Sequence, residues 1–383
     1  MLFSNRLLGT SALCAAALLT MAVPAYTQAV SSSIRGDIVS SADGSFVSNA
    51  TVEIIDTRTN SVTRQSAPNG QFNAAGLDVG GPYIIRVSAP GFRDVELKGI
   101  FLVLGEPLRL TITLESSTAS APERVTVIGA RGNAKIDKRG VGGSFNERNI
   151  RDMPTANNDF KEVINQSPLA NHELAGNNST QSNQPLSIAG ANPRCNSFNV
   201  DGVAQGDSFG LNSGGYPTAR SPLPYNWTKQ IQIAVSPYDT EYNDFCGGII
   251  NVITKTGENE FHGGMYYNFK DQDLRGKDIG NGQSPAKTDF MEENWGAYIS
   301  GPIIEDKLFF FAGYNRILAV GTPTEFGPAG SGAANIVGTV TQAELDQIVA
   351  LSQTLYDYDP GGTSSAAPED IKNIIAKVNW NIT

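Results

Sequence analysis

Histidine and cysteine are scarce in this chain, with two and three residues among 383. That scarcity excludes cysteine-rich structural metal sites and leaves histidine-based catalysis only His172 and His262. Basic residues are also in deficit. The 28 Lys and Arg against 38 Asp and Glu give a net charge of −10, and no basic cluster suits a nucleic-acid backbone. After residue 25 no apolar run approaches the ~20 residues that a spanning helix needs, so any membrane crossing falls to strands. Phosphate-cradling glycine loops are missing as well. What is present is 40 glycines, 12 tyrosines and only 17% charged residues, which suits all-β structure with many tight turns. The length leaves room for two or three domains.

Residues 1–25 carry Arg6, an apolar core from Leu7 to Val23, and small residues at Val23 and Ala25. This is the pattern of a removed export signal. A membrane anchor is the other reading, but Gly9, Thr10 and Ser11 interrupt the core. Cys14 leaves with the signal, so Cys195 and Cys246 are the cysteines of the exported chain. Each lies beside a predicted strand, NSFNVDG and GGIINVITK. An oxidising compartment permits them to pair, and they could equally be buried as small hydrophobes.

Residues 31–115 hold seven short β-rich segments from IRGDIVS to LRLTITLES, divided by turn signals such as Pro68-Asn69-Gly70 and Pro90-Gly91. Seven strands in that span predict an immunoglobulin-like β-sandwich. Residues 116–140 form a linker. It opens with the polar SSTASAP and continues as ERVTVIGAR, in which Val125, Val127 and Gly129 alternate with Thr126 and Ile128. Such an extended segment can add as a strand to a partner's sheet, or it can close the sandwich or open the next sheet.

Residues 141–257 predict an α+β unit. Ile150 and Met153 share one face of a first short helix, and Phe160, Val163 and Ile164 one face of a second, with Pro154 and Pro168 as terminators. A strand then reaches a tight turn at Asp201-Gly202, and the β-branched run Ile249, Ile250, Val252, Ile253 gives a buried strand.

From residue 258 to 383 the pattern becomes amphipathic. Phe261, Met265, Tyr267 and Phe269 alternate with polar neighbours, as do Trp295, Ala297 and Ile299, and later Ile374, Ala376, Val378, Trp380 and Ile382. One apolar face, one polar face and aromatics near the ends are what a lipid-facing barrel strand requires. KLFFFAGYNRI is apolar on both faces at first and leaves its register open. Thr341 with Glu344 predicts a capping box for a helix in a long acidic loop.

The stretch GGIINVITKTGENEFHG resembles the plug-to-barrel junction of TonB-dependent outer-membrane receptors, and is most similar to their Oar-like, OmpA-related branch. PLSIAGANPRCNSFNVDGVAQGDSFGLNSGGYP is similar to a plug region of that family, with Ala189-Gly190 where Arg-Gly is usual. The sandwich resembles the carboxypeptidase regulatory-like domain that precedes the plug in this branch. The resemblance implies mainly β structure: sandwich, α+β plug, then the first strands of an incomplete transmembrane barrel. It also implies ligand-gated, energised uptake or export with the sandwich in the periplasm. Val125, Thr126, Val127, Ile128 and Gly129 would then be a TonB-box-like contact for an inner-membrane energy transducer. The implied partners are that transducer, outer-membrane lipid and an unidentified extracellular ligand. No cofactor, metal or catalytic residue is implied. Four barrel strands are visible where plugged barrels close at roughly 22, so the chain reads as the N-terminal part of a longer receptor.

A structural or adhesive surface protein without transport is the competing reading. Gly206 to Gly210 also fits the serine-hydrolase pattern G-x-S-x-G, but LNSGGYPTARSP after Ser208 is no helix. His172-Glu173 lacks the second histidine of a zinc-protease motif.

Overall fold

The computed structural model describes residues 30–117, 124–128, 134–136, 141–153, 159–172, 186–207, 217–218, 220–235, 245–274, 290–320, 326–329, 335–360 and 368–381. The expected export signal at 1–25, with Cys14, lies outside these residues.

Alternation along β1 (Ser31–Ser40) sends every second side chain inward and buries Ile34 and Ile38 completely. The same rule builds β2 (Ala50–Asp56), β3 (Ser61–Ala67), β4 (Gln71–Asp78), β5 (Gly80–Ser88), β6 (Asp94–Leu102) and β7 (Leu108–Leu114). These coincide with the seven segments read from the sequence. Two short strands follow, β8 (Arg124–Ile128) and β9 (Ala134–Ile136). The sheets run β4-β1-β7-β9 and β3-β2-β5-β6-β8. Ile34, Ile54, Ile85, Leu97, Leu110 and Ile112 fill the space between them. Each such burial is worth ~1.5–3 kcal/mol, so the sandwich has a core of its own.

The central unit contains β10 (Val141–Asn146), β11 (Ala170–His172), β12 (Leu186–Ile188), β13 (Ser197–Val200), β14 (Val203–Ala204), β15 (Thr228–Val235) and β16 (Gly248–Thr254). Five of them form one sheet, β10-β15-β16-β13-β14, while β11 and β12 pair separately. Every residue of β16 is buried. Ile250 and Val252 pack with Ile231, Ile233 and Phe198 on one face, and Ile253 meets Val79 and Leu104 of the sandwich on the other. A strand covered on both faces can carry apolar residues on both, which explains why Ile249, Ile250, Val252 and Ile253 do not alternate with exposed polar ones, Asn251 among them being buried too.

Two short helices cover this sheet. Helix α1 (Glu147–Asp152) starts from a reciprocal cap in which the Asn146 side chain accepts from the Asn149 backbone N–H (3.0 Å). In α2 (Phe160–Ile164), Asp159 accepts from the Lys161 N–H (2.9 Å) and Phe160 stacks on Phe198 with centroids 5.0 Å apart. Ile150, Phe160, Val163 and Ile164 are the buried faces expected from their spacing. Pro154 lies outside the described residues.

The last unit is a sheet of order β17-β18-β19-β22, antiparallel throughout, from β17 (His262–Asp271), β18 (Met291–Ile304), β19 (Leu308–Val320) and β22 (Pro368–Trp380). Between β19 and β22 lie the small pair β20 (Phe326–Ala329) and β21 (Asn335–Thr341) and the helix α3 (Gln342–Tyr356). The Thr341–Glu344 capping box forms, and none of the residues of α3 is buried. Met265, Tyr267, Ile299, Ile374, Val378 and Trp380 all stand exposed on the outward face. In β19 the ambiguity resolves with Phe309 and Phe311 turned inward and buried. At 13 or 14 residues, β18, β19 and β22 are longer than the sequence segments suggested. They exceed the ~9–11 residues a tilted strand needs to cross hydrocarbon. One end of the sheet has the short turn 305–307 and the other the long connection 321–367. Among the described residues no helix is long and apolar enough to cross a membrane.

Candidate functional site

The inward face of the four-stranded wall holds the central unit through three contacts. Near the long-loop end, Lys270, Glu292, Ala319 and Glu369 stand opposite one another across β17, β18, β19 and β22. Ala319 is small, so the two carboxylates can converge on Arg220, which precedes β15. Arg220 Nη1 lies 2.9 Å from Glu292 Oε2 and its Nε 2.8 Å from Glu369 Oε2, while Lys270 Nζ is 3.5 Å from Glu292 Oε1. The Arg220 and Glu292 side chains are each only 5% exposed. Burial alone would ease the proton off Arg220, but the Glu292 and Glu369 carboxylates outweigh it and raise its pKa. Among the described residues the cluster holds two cations and two anions.

A second ionic contact sits toward the short-turn end. Asp201 and Gly202 have φ of +48° and +79°, the paired left-handed conformation of a two-residue hairpin turn between β13 and β14. The turn aims the Asp201 carboxylate at the end of β16, where it accepts from the Thr254 N–H (2.9 Å) and the Thr254 hydroxyl. Lys377 of β22 then reaches both Asp201 Oδ2 (3.2 Å) and Thr254 Oγ1 (3.0 Å). Some eight strand residues separate Glu369 from Lys377, or ~26 Å along β22. The central unit is therefore gripped at two heights.

Between these grips the contact is apolar. Gly264, Tyr298 and Gly313 form one row across β17, β18 and β19. A Cβ on Gly313 would come within 2.7 Å of the Trp227 ring, and one on Gly264 within 2.8 Å of the Tyr298 ring. Trp227, in the single 3-10 turn Tyr225–Trp227, is 1% exposed and lies directly on the backbone of β19. Lys255 caps the row with its ammonium 4.7 Å from the centre of the Tyr298 ring and 2.9 Å from Glu147.

Cys195 and Cys246 form a disulfide. The Cys246 and Gly247 N–H groups both donate to the Cys195 carbonyl at 3.0 Å, so the bridge joins the starts of the parallel neighbours β13 and β16. Val125, Thr126, Val127 and Ile128 lie in β8, which pairs in parallel with β6 from Asp94 opposite Arg124 to Lys98 opposite Ile128. The structure thus places this segment on the sandwich edge rather than on the central sheet, and among the described residues β8 pairs with β6 alone. Gly129 and Ser208 lie outside the described residues. His172 is the last residue of β11 and His262 the first of β17. Among the described residues no group of three or more His, Cys, Asp or Glu is placed to hold a metal.

Residue patterning did not single out Arg220, Glu292 and Glu369. The available signal was the presence of full charges at inward register positions, where a water-filled lumen asks only for polarity.

Two lysines of the central unit are held near neutrality. Burial lowers Lys229 to about 8, helped by the Arg58 guanidinium and opposed by Asp78, Glu258 and Asp56. Burial likewise lowers Lys161 to about 8, against the pull of Asp159. Between pH 8 and about 10.5 the unfolded chain therefore binds more protons than the folded one, and stability rises with pH. The midpoint of urea unfolding should increase between pH 7.5 and 9.5, and a flat or falling profile would contradict both assignments.

Comparison with known proteins agrees with this architecture. The family model for the carboxypeptidase regulatory-like domain matches residues 33–115, and that for an outer membrane beta barrel domain matches residues 253–379. The TonB-dependent transporter Oar of Myxococcus xanthus is 29% identical over 245 residues, covering 61% of this chain and 22% of Oar. Among solved structures, the outer membrane transporter YddB from Escherichia coli overlaps with a TM-score of 0.44 at 16% identity, covering 63% of this chain and 31% of that one. The siderophore receptor PirA from Acinetobacter baumannii overlaps at 0.37 and 22% identity, covering 48% and 25%. The two domain models, in this order, define an outer-membrane β-barrel protein with an N-terminal regulatory-like sandwich. With the likeness to Oar, they make the chain similar to TonB-dependent receptors of the Oar-like kind. The chain spans about a fifth of the length of that relative.

Proposed function

We propose that this chain is the gate and coupling portion of an energised outer-membrane transporter. Its central unit is a plug, its sandwich and β8 face the periplasm, and the long β19–β22 connection faces outward. The observation that carries the reading is the ion cluster of Arg220 with Lys270, Glu292 and Glu369, which fastens the central unit to the lumenal face of barrel strands. A purely structural barrel has no need of a separable stopper. A ligand bound outside would act by shifting the plug between seated and released states. A TonB-type inner-membrane transducer would then take Val125–Gly129 by strand addition and supply the work. That the relative is a transporter by name supports the same reading.

Deletion of residues 123–131 in the complete receptor is expected to abolish energised transport while leaving outer-membrane assembly and ligand binding intact. Vesicle uptake or secretion assays would show this directly, and transport at the undeleted rate would sink the coupling role.

A further inference from the structure

The sandwich touches the rest of the chain through a compact polar surface. The β2–β3 turn brings Arg58 and Asn60 against the segment before β17 and the short turn after β18. Asn60 Nδ2 donates to Asp306 Oδ1 (2.9 Å), and Asn259 Nδ2 donates to the same oxygen (2.8 Å). Asn259 Oδ1 accepts the Asp306 N–H (2.9 Å), and the Asn259 N–H donates to the Arg58 carbonyl (2.9 Å). The Arg58 guanidinium is fixed by Asp56 (2.9 and 2.6 Å) and the Val79 carbonyl (3.1 Å), and lies 3.7 Å from Glu258. Beneath these bonds Val79 and Leu104 of the sandwich bury Ile253 of β16.

We infer that this surface is a permanent dock, so that the sandwich is a brace fixed to the short-turn mouth of the barrel and not a tethered spacer. Three features support this. Asp306 is shared by a sandwich residue and a barrel-proximal residue, so one carboxylate ties both to the turn. The apolar patch adds buried area to the contact, with Val79, Leu104 and Ile253 only 2, 0 and 6% exposed. Finally, the buried cluster of the sandwich is drawn from the chain between Ile34 and Leu114. The body can therefore remain seated when β8 is drawn away from β6, a step that rests on the transport reading above.

The test uses the complete receptor in outer membranes with an engineered pair, Asn60→Cys with Asp306→Cys. Its control is Asp43→Cys with Asp306→Cys, since Asp43 lies beyond the far end of β1. Mild oxidation is expected to cross-link most of the first pair and at least tenfold less of the control. Comparable yields would overturn the dock. Amide exchange in Asp306→Ala should rise about tenfold at 57–60 and 258–260 and stay unchanged along 31–40, which separates undocking from unfolding. Unchanged exchange at the contact would also count against the inference. The cross-linked receptor is expected to transport at the rate of its reduced form. Loss of transport restored by reductant would show that the sandwich must leave, and would refute a fixed brace while leaving the transport reading intact.

Discussion

Arg220→Ala is expected to loosen the plug from the wall by ~3–5 kcal/mol, because it strands Glu292 in a site where that side chain is 5% exposed. The loss comes less from the missing attraction than from an anion left without its partner in a medium that solvates it poorly. Lys270, at 3.5 Å, is too distant to compensate fully. Hydrogen exchange along β15 and β16 should accelerate by two to three orders of magnitude. Arg220→Ala combined with Glu292→Gln should recover a large part of the protection, since the amide carries no charge to desolvate. Native exchange rates in the single variant would show that Arg220 does not hold the plug.

Replacing Cys195 and Cys246 by serine is expected to cost the plug a similar amount for a different reason. The bridge spans a sequence separation of 51, and closing a loop of that size restricts the unfolded chain by about 4 kcal/mol in the chain-entropy treatment. β13 and β16 are parallel, so no hairpin can hold their starts together once the bridge is gone. The urea midpoint of the double serine variant should fall accordingly. Wild-type protein under reducing conditions should match it, and a shift below ~1 kcal/mol would mean the hydrogen bonds at Cys195 suffice.

Most of the fold was legible because its rules are local. Period-two burial exposed the sandwich strands, and the outward rows of β17, β18 and β22 followed from the same alternation at Met265, Ile299 and Ile374. β16 was readable as a buried strand because its β-branched residues Ile249, Ile250, Val252 and Ile253 fall on both faces. The register of β19 was not, since three successive phenylalanines carry no alternation, and the inward turn of Phe309 and Phe311 shows only in their burial, with Phe311 in the cluster that holds Trp227. The plug–wall ion cluster was equally hidden. Arg220 and Glu369 are separated by 149 positions, and their meeting depends on how the sheet rolls around the plug rather than on any nearby residue. The pairing of β8 with β6 was one of two alternatives that propensity could not separate, because VTVI suits either edge.

The row Gly264–Tyr298–Gly313 has a consequence for orientation. Where Trp227 lies on Gly313 the wall is a single backbone thick. An indole that needs a bare patch of main chain can settle there and not on the neighbouring β18, where Gly296 is already filled by the Tyr266 hydroxyl. The stopper is in this way keyed to one azimuth. On the transport proposal, a released plug would return only by finding the same angular setting, so reseating should proceed by rotation into register and not by simple descent.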